Sequence, residues 1–159
     1  MSGQLEHESE LDVPASEAWE LFGTLGIAKL AGEEMPELFQ KVEVVEGDGG
    51  VGTILKLTFT PGIPGPASYK EKFTKVDNEK LIKEAEVVEG GYLDFGFTLF
   101  RARFQVIEKG EDSSIIKSTI EYEAKDAANA SLVSIEPFAK IVQVAKNYLG
   151  RNKDAKEAK

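Results

Sequence analysis

Six segments in the middle of this chain alternate apolar with polar residues, and only short turns separate each segment from the next. Successive side chains of a strand point to opposite faces, so this alternation predicts half-buried β-strands. Consecutive strands joined by short turns of glycine, proline, aspartate and asparagine pair as antiparallel hairpins. The predicted strands cover residues 39–46, 53–60, 68–77, 81–89, 93–109 and 114–124.

The segment before these six predicts one more strand and two helices. Leu5, Leu11 and Val13 alternate with acidic residues, which indicates a strand that ends at a proline. The residues that follow carry apolar side chains at helical spacing, which predicts two short helices over residues 15–25 and 26–34. The chain therefore has seven predicted strands in all.

The last predicted element is a long helix with one apolar stripe. Pro137 suits its first turn, and Gly150 is expected to end or loosen it. Residues 151–159 have mixed charge and are expected to form a frayed helix end. A curved antiparallel sheet of seven strands can wrap around such a helix, so we expect an α+β fold in a single domain over residues 1–159.

Charge and composition exclude several classes of partner. The net charge of −9 repels nucleic-acid backbones and anionic membranes, so neither is an expected partner. The chain has no cysteine, and no pair of carboxylates has the spacing of metal ligands, so no metal site is expected. The first residues lack the basic and apolar pattern of a signal peptide, so we expect a cytoplasmic protein. We also expect a monomer or a weak dimer.

The sequence from Gly47 to Gly52 fits the dinucleotide-binding pattern G-x-G-x-x-G. That pattern requires a helix directly after the glycines, because the helix N-terminus meets the pyrophosphate. Here a predicted strand follows instead. The segment is therefore interpreted as a glycine-rich hairpin loop.

Lys83 lies on the apolar face of its predicted strand. It alternates in phase with Leu81, Ala85 and Val87, while the glutamates between them take the opposite face. A buried charge is costly unless it serves a partner or a ligand. The position of this lysine therefore marks it as a candidate functional residue.

Tyr69 and Glu71 share the apolar face of the preceding strand with Phe73. If the two strands pair, Tyr69, Glu71 and Lys83 converge in the interior. Burial would lower the pKa of the lysine and an ionised glutamate nearby would raise it, and the sequence leaves that balance open. A phenol, a carboxylate and an amine in an apolar cavity suit proton transfer, whereas the alternative is a lysine that snorkels at a sheet edge beside Glu71.

Several motifs resemble those of the Bet v 1-like, pathogenesis-related class-10 family. They are the glycine loop of residues 46–53, the Glu-Gly-Gly-Tyr-Leu turn of residues 89–93 and the segment 116–122. The resemblance covers nearly the whole chain and implies a helix-grip fold. It is strongest to the norcoclaurine synthase-like branch, which includes norbelladine synthase-like proteins of alkaloid-making plants.

This branch carries a tyrosine-x-glutamate followed by a lysine, matched here by Tyr69, Glu71 and Lys83. The resemblance implies that Lys83 transfers protons while an amine and an aldehyde form an iminium ion. It implies that Glu71 acts as the base during cyclisation and that Tyr69 positions the substrate. No cofactor is implied. The residues expected to line the ligand cavity are Phe39, Phe73, Tyr92, Phe100, Ala102 and Phe104.

Ala102 is a departure from the norcoclaurine synthases, which carry an aspartate at this position. The resemblance therefore implies either a Pictet–Spengler condensation of dopamine or tyramine with an aromatic aldehyde, or formation of an imine that a partner reductase must reduce. The alternative is a non-catalytic carrier of small aromatic ligands or phytohormones such as cytokinins. A nuclease activity is disfavoured, because the chain is acidic and has a single histidine.

Overall fold

The alternating segments form the seven strands of one antiparallel sheet in the computed structural model, which describes residues 1–157. The strands are β1 (Ser2–Leu11), β2 (Phe39–Glu46), β3 (Ile54–Phe59), β4 (Ser68–Asp77), β5 (Ile82–Gly90), β6 (Phe97–Gly110) and β7 (Ser113–Ala124). The helices are α1 (Ala15–Phe22), α2 (Gly26–Glu34), α3 (Ala127–Ala130) and α4 (Glu136–Glu157), with a 3-10 helix at Gly91–Phe95.

The strand order is β1-β7-β6-β5-β4-β3-β2, so β5 lies at the centre of the sheet. Lys83, on β5, is opposite Val76 of β4 and Phe104 of β6. Register shifts in β2 and β4 mark bulges or irregularities, which bend a sheet. The alternation of the sequence therefore places one face of the sheet inward over its whole width.

Helix α4 packs against the concave inner face of the sheet. Val142, Ala145 and Leu149 are buried on it, and Phe138 and Ile141 contact clusters of core residues at both ends of the sheet. The expected architecture is confirmed: a seven-stranded antiparallel sheet around a long C-terminal helix, with two short helices after the first strand. Although α4 has 22 residues, no helix within residues 1–157 is long and apolar enough to cross a membrane.

The glycine-rich segment joins β2 to β3 as a hairpin, as interpreted from the sequence. Gly47, Gly49 and Gly52 have φ values of 93°, 109° and 97°, a backbone region that other residues rarely adopt. A Cβ on Gly47 would lie 2.7 Å from the Cα of Thr53, so the turn is closed tightly. No helix follows, and the rejection of a dinucleotide site is consistent with this local structure.

The structure differs from the predicted elements in a few places. Residues 93–95 are not strand, because Gly91 turns at a φ of 59° and packs so closely on Tyr69 that a Cβ would lie 2.7 Å from the tyrosine Cβ. Helix α1 ends at Phe22, and helix α3 was not predicted. Helix α4 continues through Gly150 to Glu157, which agrees with the predicted helix end and excludes the alternative in which Gly150 ends the helix, since a glycine inside a helix costs only about 1 kcal/mol. Residues 158–159 of the predicted helix end lie outside the described part of the chain.

Candidate functional site

A cavity lies between the inner face of the sheet, helix α2 and the start of helix α4. Its volume is about 110 Å³, many times the roughly 10–15 Å³ that one ordered water needs. Most of the lining is apolar, and the polar side chains are two tyrosines, one glutamate, one lysine and one serine. All nine predicted site residues line this cavity: Phe39, Tyr69, Glu71, Phe73, Lys83, Tyr92, Phe100, Ala102 and Phe104.

Lys83 is buried, with only 5% of its surface exposed. Its Nζ donates a hydrogen bond of 3.1 Å to the backbone carbonyl of Thr24 and lies 4.7 Å from the centre of the Phe73 ring. Because β5 is a central strand, the alternative of a lysine that snorkels at a sheet edge is wrong. Within residues 1–157, Lys83 and Glu71 line the same cavity but form no direct ion pair.

Thr24 was not predicted as part of the site. It lies between α1 and α2, where its Oγ1 donates 2.7 Å to the carbonyl of Glu20 and accepts 3.0 Å from the amide of Gly26. These bonds fix the junction whose carbonyl receives Lys83. A backbone carbonyl leaves no signature in residue type, so no sequence signal could have identified this contact.

Burial lowers the pKa of Lys83 to about 8, because the charged ammonium has lost most of its water. The negative charge of Glu71 acts in the opposite direction and is the weaker influence. The balance that the sequence left open therefore favours desolvation. At neutral pH this lysine exchanges its proton far more readily than an exposed lysine does.

Glu71 lies on β4 between Leu55 of β3 and Val87 of β5. Burial raises its pKa to about 7, and the positive charge of Lys83 acts against that rise. The carboxyl group is therefore close to half-protonated at neutral pH. It is suited both to accept and to return a proton.

Tyr69 lies beside Glu71 on the inner face of β4. Burial raises the pKa of its phenol well above the usual value, and the nearby Glu71 and Tyr92 raise it further. The phenol consequently stays protonated and can donate a hydrogen bond. Its ring packs edge-to-face on Phe59 with centroids 5.3 Å apart, which fixes its position at the cavity wall.

Aromatic rings form much of the remaining wall. Tyr92 and Phe100 stack with centroids 4.1 Å apart and ring planes 3° from parallel. Phe104 packs edge-to-face on Phe138 of α4, with centroids 5.7 Å apart. Phe138 was not among the predicted residues, although its place in the apolar stripe of the last helix is a signal that could have indicated it. These rings offer flat apolar surfaces to a flat aromatic ligand.

Ala102 lies directly opposite Ala85 in the pairing of β5 with β6. Ala85 is the next inward-facing residue after Lys83 on the same strand, and both methyl groups line the cavity. Because both side chains are small, they leave room in the cavity beside Lys83 for a ligand. The site thus combines an amine, a carboxyl group and a phenol around room for an aromatic molecule.

Comparisons with known proteins agree with this geometry. The profile of the Pathogenesis-related protein Bet v 1 family matches residues 1–151. The chain is 51% identical over 140 residues to norbelladine synthase from Narcissus pseudonarcissus, which covers 87% of this chain and 86% of that protein. It is 45% identical over 121 residues to S-norcoclaurine synthase from Thalictrum flavum subsp. glaucum, which covers 76% of this chain and 57% of that protein.

A solved structure of norcoclaurine synthase from Thalictrum flavum in complex with dopamine and hydroxybenzaldehyde is also similar. The TM-score is 0.84 at 37% sequence identity, over 95% of this chain and 88% of that one. S-norcoclaurine synthase 2 from Papaver somniferum is 37% identical over 150 residues, and this chain spans 64% of its length. The chain thus spans less than two thirds of two norcoclaurine synthases in sequence.

Proposed function

This chain belongs to the Bet v 1 family of pathogenesis-related proteins, and from that premise we propose that it is a condensing enzyme. It joins an arylethylamine, dopamine or tyramine, to an aromatic aldehyde through an iminium ion. The observation that carries the proposal is the cavity in which Tyr69, Glu71 and Lys83 meet among apolar residues. Proteins named norbelladine synthase and norcoclaurine synthase are similar over most of the chain.

Proton transfers between groups of near-neutral pKa support the assigned roles. In its charged form Lys83 protonates the hydroxyl group of the carbinolamine, which then leaves as water. In its ionised form Glu71 removes a proton from the substrate, and if the product cyclises it takes the ring proton that restores aromaticity. The neutral phenol of Tyr69 orients a substrate oxygen by a hydrogen bond. General acid and base catalysis of this kind contributes about 10²–10⁴ to the rate.

The alanine at position 102 bears on the product. A methyl group there supplies no charge to orient a catechol or an ammonium, whereas a carboxylate would supply one. We therefore propose imine formation as the principal reaction, with a separate reductase consuming the imine. Cyclisation to the Pictet–Spengler product is the competing outcome.

The reaction is tested by mixing the purified chain with dopamine or tyramine and with 3,4-dihydroxybenzaldehyde or 4-hydroxyphenylacetaldehyde. Sodium cyanoborohydride added at intervals traps the imine as a secondary amine, and chiral chromatography detects a cyclised product. The expected result is imine accumulation above the uncatalysed rate. Product at the background rate for every pair, racemic where it cyclises, would refute the proposal.

A second candidate function is a non-catalytic carrier of small aromatic ligands or cytokinin-like compounds. The predominantly apolar lining of the cavity favours it. The two functions differ in their dependence on Lys83. A carrier predicts calorimetric binding of aromatic ligands that survives Lys83→Met, whereas the enzyme loses turnover in that variant. The cytoplasmic location and the monomeric or weakly dimeric state stay predictions of the sequence.

A further inference from the structure

Lys83 is the only lysine among residues 1–157 that lines the cavity. Its ammonium group has three donors, yet within residues 1–157 it has one hydrogen-bond acceptor, the Thr24 carbonyl, and no ion pair. The Phe73 ring, 4.7 Å from Nζ, can attract the cation but cannot accept its proton. Little in the protein therefore holds this amine in its charged form.

The space next to the amine suits a carbonyl compound. Ala85 and Ala102 face each other across β5 and β6, one inward position along from Lys83, and both line the cavity. The aromatic wall of Phe73, Phe100 and Phe104 surrounds this space. An aromatic aldehyde can thus lie with its ring on the apolar wall and its carbonyl carbon toward Nζ.

The groups that face Lys83 across the cavity can move protons, and burial outweighs the influence of Glu71, the one among them that favours the charged amine. Glu71 and Tyr69 come from β4 and Tyr92 from the 3-10 helix. Helices α2 and α4 and the segment before α4 contribute apolar side chains and Ser134, whose hydroxyl accepts from the amide of Glu136. With a pKa of about 8, roughly one Lys83 in ten is the neutral amine at pH 7.

We propose that Lys83 itself reacts with aromatic aldehydes and forms a covalent imine when no amine substrate is present. The Nζ lone pair attacks the carbonyl carbon and a proton passes from nitrogen to oxygen, which gives a carbinolamine. Glu71 in its acid form protonates the hydroxyl group, water leaves, and the C=N bond forms as an iminium ion, whose N–H proton returns to the Glu71 carboxylate to give the imine. Addition of water reverses these steps and returns the free amine. The inference rests on the proposed function only in placing the aldehyde in the same cavity.

This role differs from proton transfer, because the nucleophile must be the uncharged lysine. Desolvated lysines of lowered pKa form imines with carbonyl compounds in this way. An exposed lysine of ordinary pKa near 10.4 has a neutral fraction at pH 7 smaller by about two orders of magnitude. The chain therefore carries one lysine that should react with an aldehyde ahead of all the exposed ones.

The test exposes the whole chain to 4-hydroxybenzaldehyde and sodium cyanoborohydride without any amine. Intact-mass spectrometry counts the hydroxybenzyl groups, and peptide mapping of the unaltered protein locates them. Among the lysines we expect one group per chain, on Lys83, trapped at least about tenfold faster than on any exposed lysine, and the peptide map counts a group on the N-terminal α-amine separately. Because it needs neutral Lys83 and protonated Glu71, trapping should rise about tenfold per pH unit up to about pH 7, stay level to about pH 8 and fall above it.

Two variants give the matched comparison. Lys83→Met should lose the rapid modification, whereas Lys72→Met should keep it, since Lys72 is exposed on the opposite face of β4. Modification spread evenly over exposed lysines, or none on Lys83 in the unaltered protein, would overturn the inference. Because the mapping uses the unaltered protein, poor folding of Lys83→Met cannot decide the outcome.

The failure of this inference and that of the proposed function are distinguishable. Condensation of amine and aldehyde without a trapped adduct on Lys83 would overturn the covalent imine and leave the condensing enzyme intact. A trapped adduct on Lys83 without catalysed condensation would support the imine and refute the condensing enzyme.

Discussion

Charged residues on the two faces of β5 and β6 lie in opposite environments. On the outer face Arg101 and Arg103 lie between three glutamates. The Nε of Arg103 is 3.1 Å from Glu84, and the Nη2 of Arg101 is 3.4 Å from Glu86. Both arginines also contact Glu121. On the inner face Lys83 has a backbone carbonyl as its acceptor, and Glu71, the other charged residue that lines the cavity within the described part of the chain, forms no ion pair with it.

The outer charges are suited to stabilising the fold, and the inner charges are suited to catalysis. Half-exposed charges that contact opposite charges keep the charged form that water already favours. Glu71 and Lys83, called the inner pair below, are desolvated without direct contact. The pKa of Glu71 therefore rises to about 7, while that of Lys83 falls to about 8. Two groups that titrate on either side of neutrality can exchange protons with a substrate, and their burial costs stability.

Removing the amine of Lys83 should have the largest effect, and that effect is on catalysis. Lys83→Met is expected to lower kcat/KM for condensation by about 10²–10⁴, because the proton donor is lost. Steady-state kinetics with dopamine and an aromatic aldehyde measure this. Arg103→Met is the matched change on the outer face and should leave kcat/KM within about threefold. Equal losses in the two variants would show that the faces do not have separate roles.

Neutralising both inner groups should stabilise the protein. Glu71→Gln with Lys83→Met is expected to raise the free energy of unfolding by about 1–3 kcal/mol at pH 7.5. The cost of Glu71 is complete above pH 7 and disappears as the pH falls toward its unfolded value, because its folded pKa is raised. The cost of Lys83 is complete below pH 8 and disappears as the pH rises toward its unfolded value, because its folded pKa is lowered.

Urea unfolding followed by circular dichroism from pH 5 to pH 10 tests this, with the gain greatest between pH 7 and pH 8. A double variant that is less stable than the unaltered protein at pH 7.5 would mean that the inner pair stabilises the fold.

The pH profile of condensation should test the role of Lys83 as proton donor. For condensation, kcat/KM is expected to rise about tenfold per pH unit up to the Glu71 pKa and to fall by the same factor per unit above the Lys83 pKa. Those limits are about 7 and about 8. Imine trapping without an amine needs the opposite protonation states of the two groups and should show the same limits, so the trapped adduct and not the pH profile distinguishes the two roles of Lys83. A condensation rate that levels off above pH 8 would contradict the role of Lys83 as proton donor.

The smallest effect is expected from a substitution on the outer face, and it is an effect on stability. Arg103→Met should lower the free energy of unfolding by about 1 kcal/mol, since it leaves Glu84 and Glu121 with one cation fewer. The loss should shrink in high salt, because half-exposed ion pairs are screened. Chemical denaturation with and without added sodium chloride measures it, and a loss that does not change with salt would argue for packing by the arginine stem instead.

Much of the fold was predictable, because burial of one sheet face forces a period of two. Lys83, Ala85 and Val87 followed that period and were assigned inward correctly. The prediction failed at residues 93–95, where Gly91 turns the chain in a conformation that an alternation pattern does not reveal. At Gly150 the sequence left open whether the helix ends or continues, and packing of α4 on the sheet, which outweighs the helix propensity of one residue, decided that it continues.

The site was predictable in its members but not in its contacts. Inward phase alone brought Tyr69, Glu71 and Lys83 to one cavity, and the family resemblance suggested their roles. Two facts required the three-dimensional arrangement. The Thr24 carbonyl is the acceptor for Lys83, and Arg101 and Arg103 of β6 contact glutamates of both β5 and β7.

By itself the sequence determined which side chains face inward, because strand periodicity is a local property of the chain. It therefore determined that a lysine and a glutamate share an apolar interior. Only the tertiary structure decided that Lys83 meets the carbonyl at the α1–α2 junction and stands apart from Glu71. The pKa values of both groups follow from this arrangement, because desolvation and the distance between the charges depend on how distant segments pack.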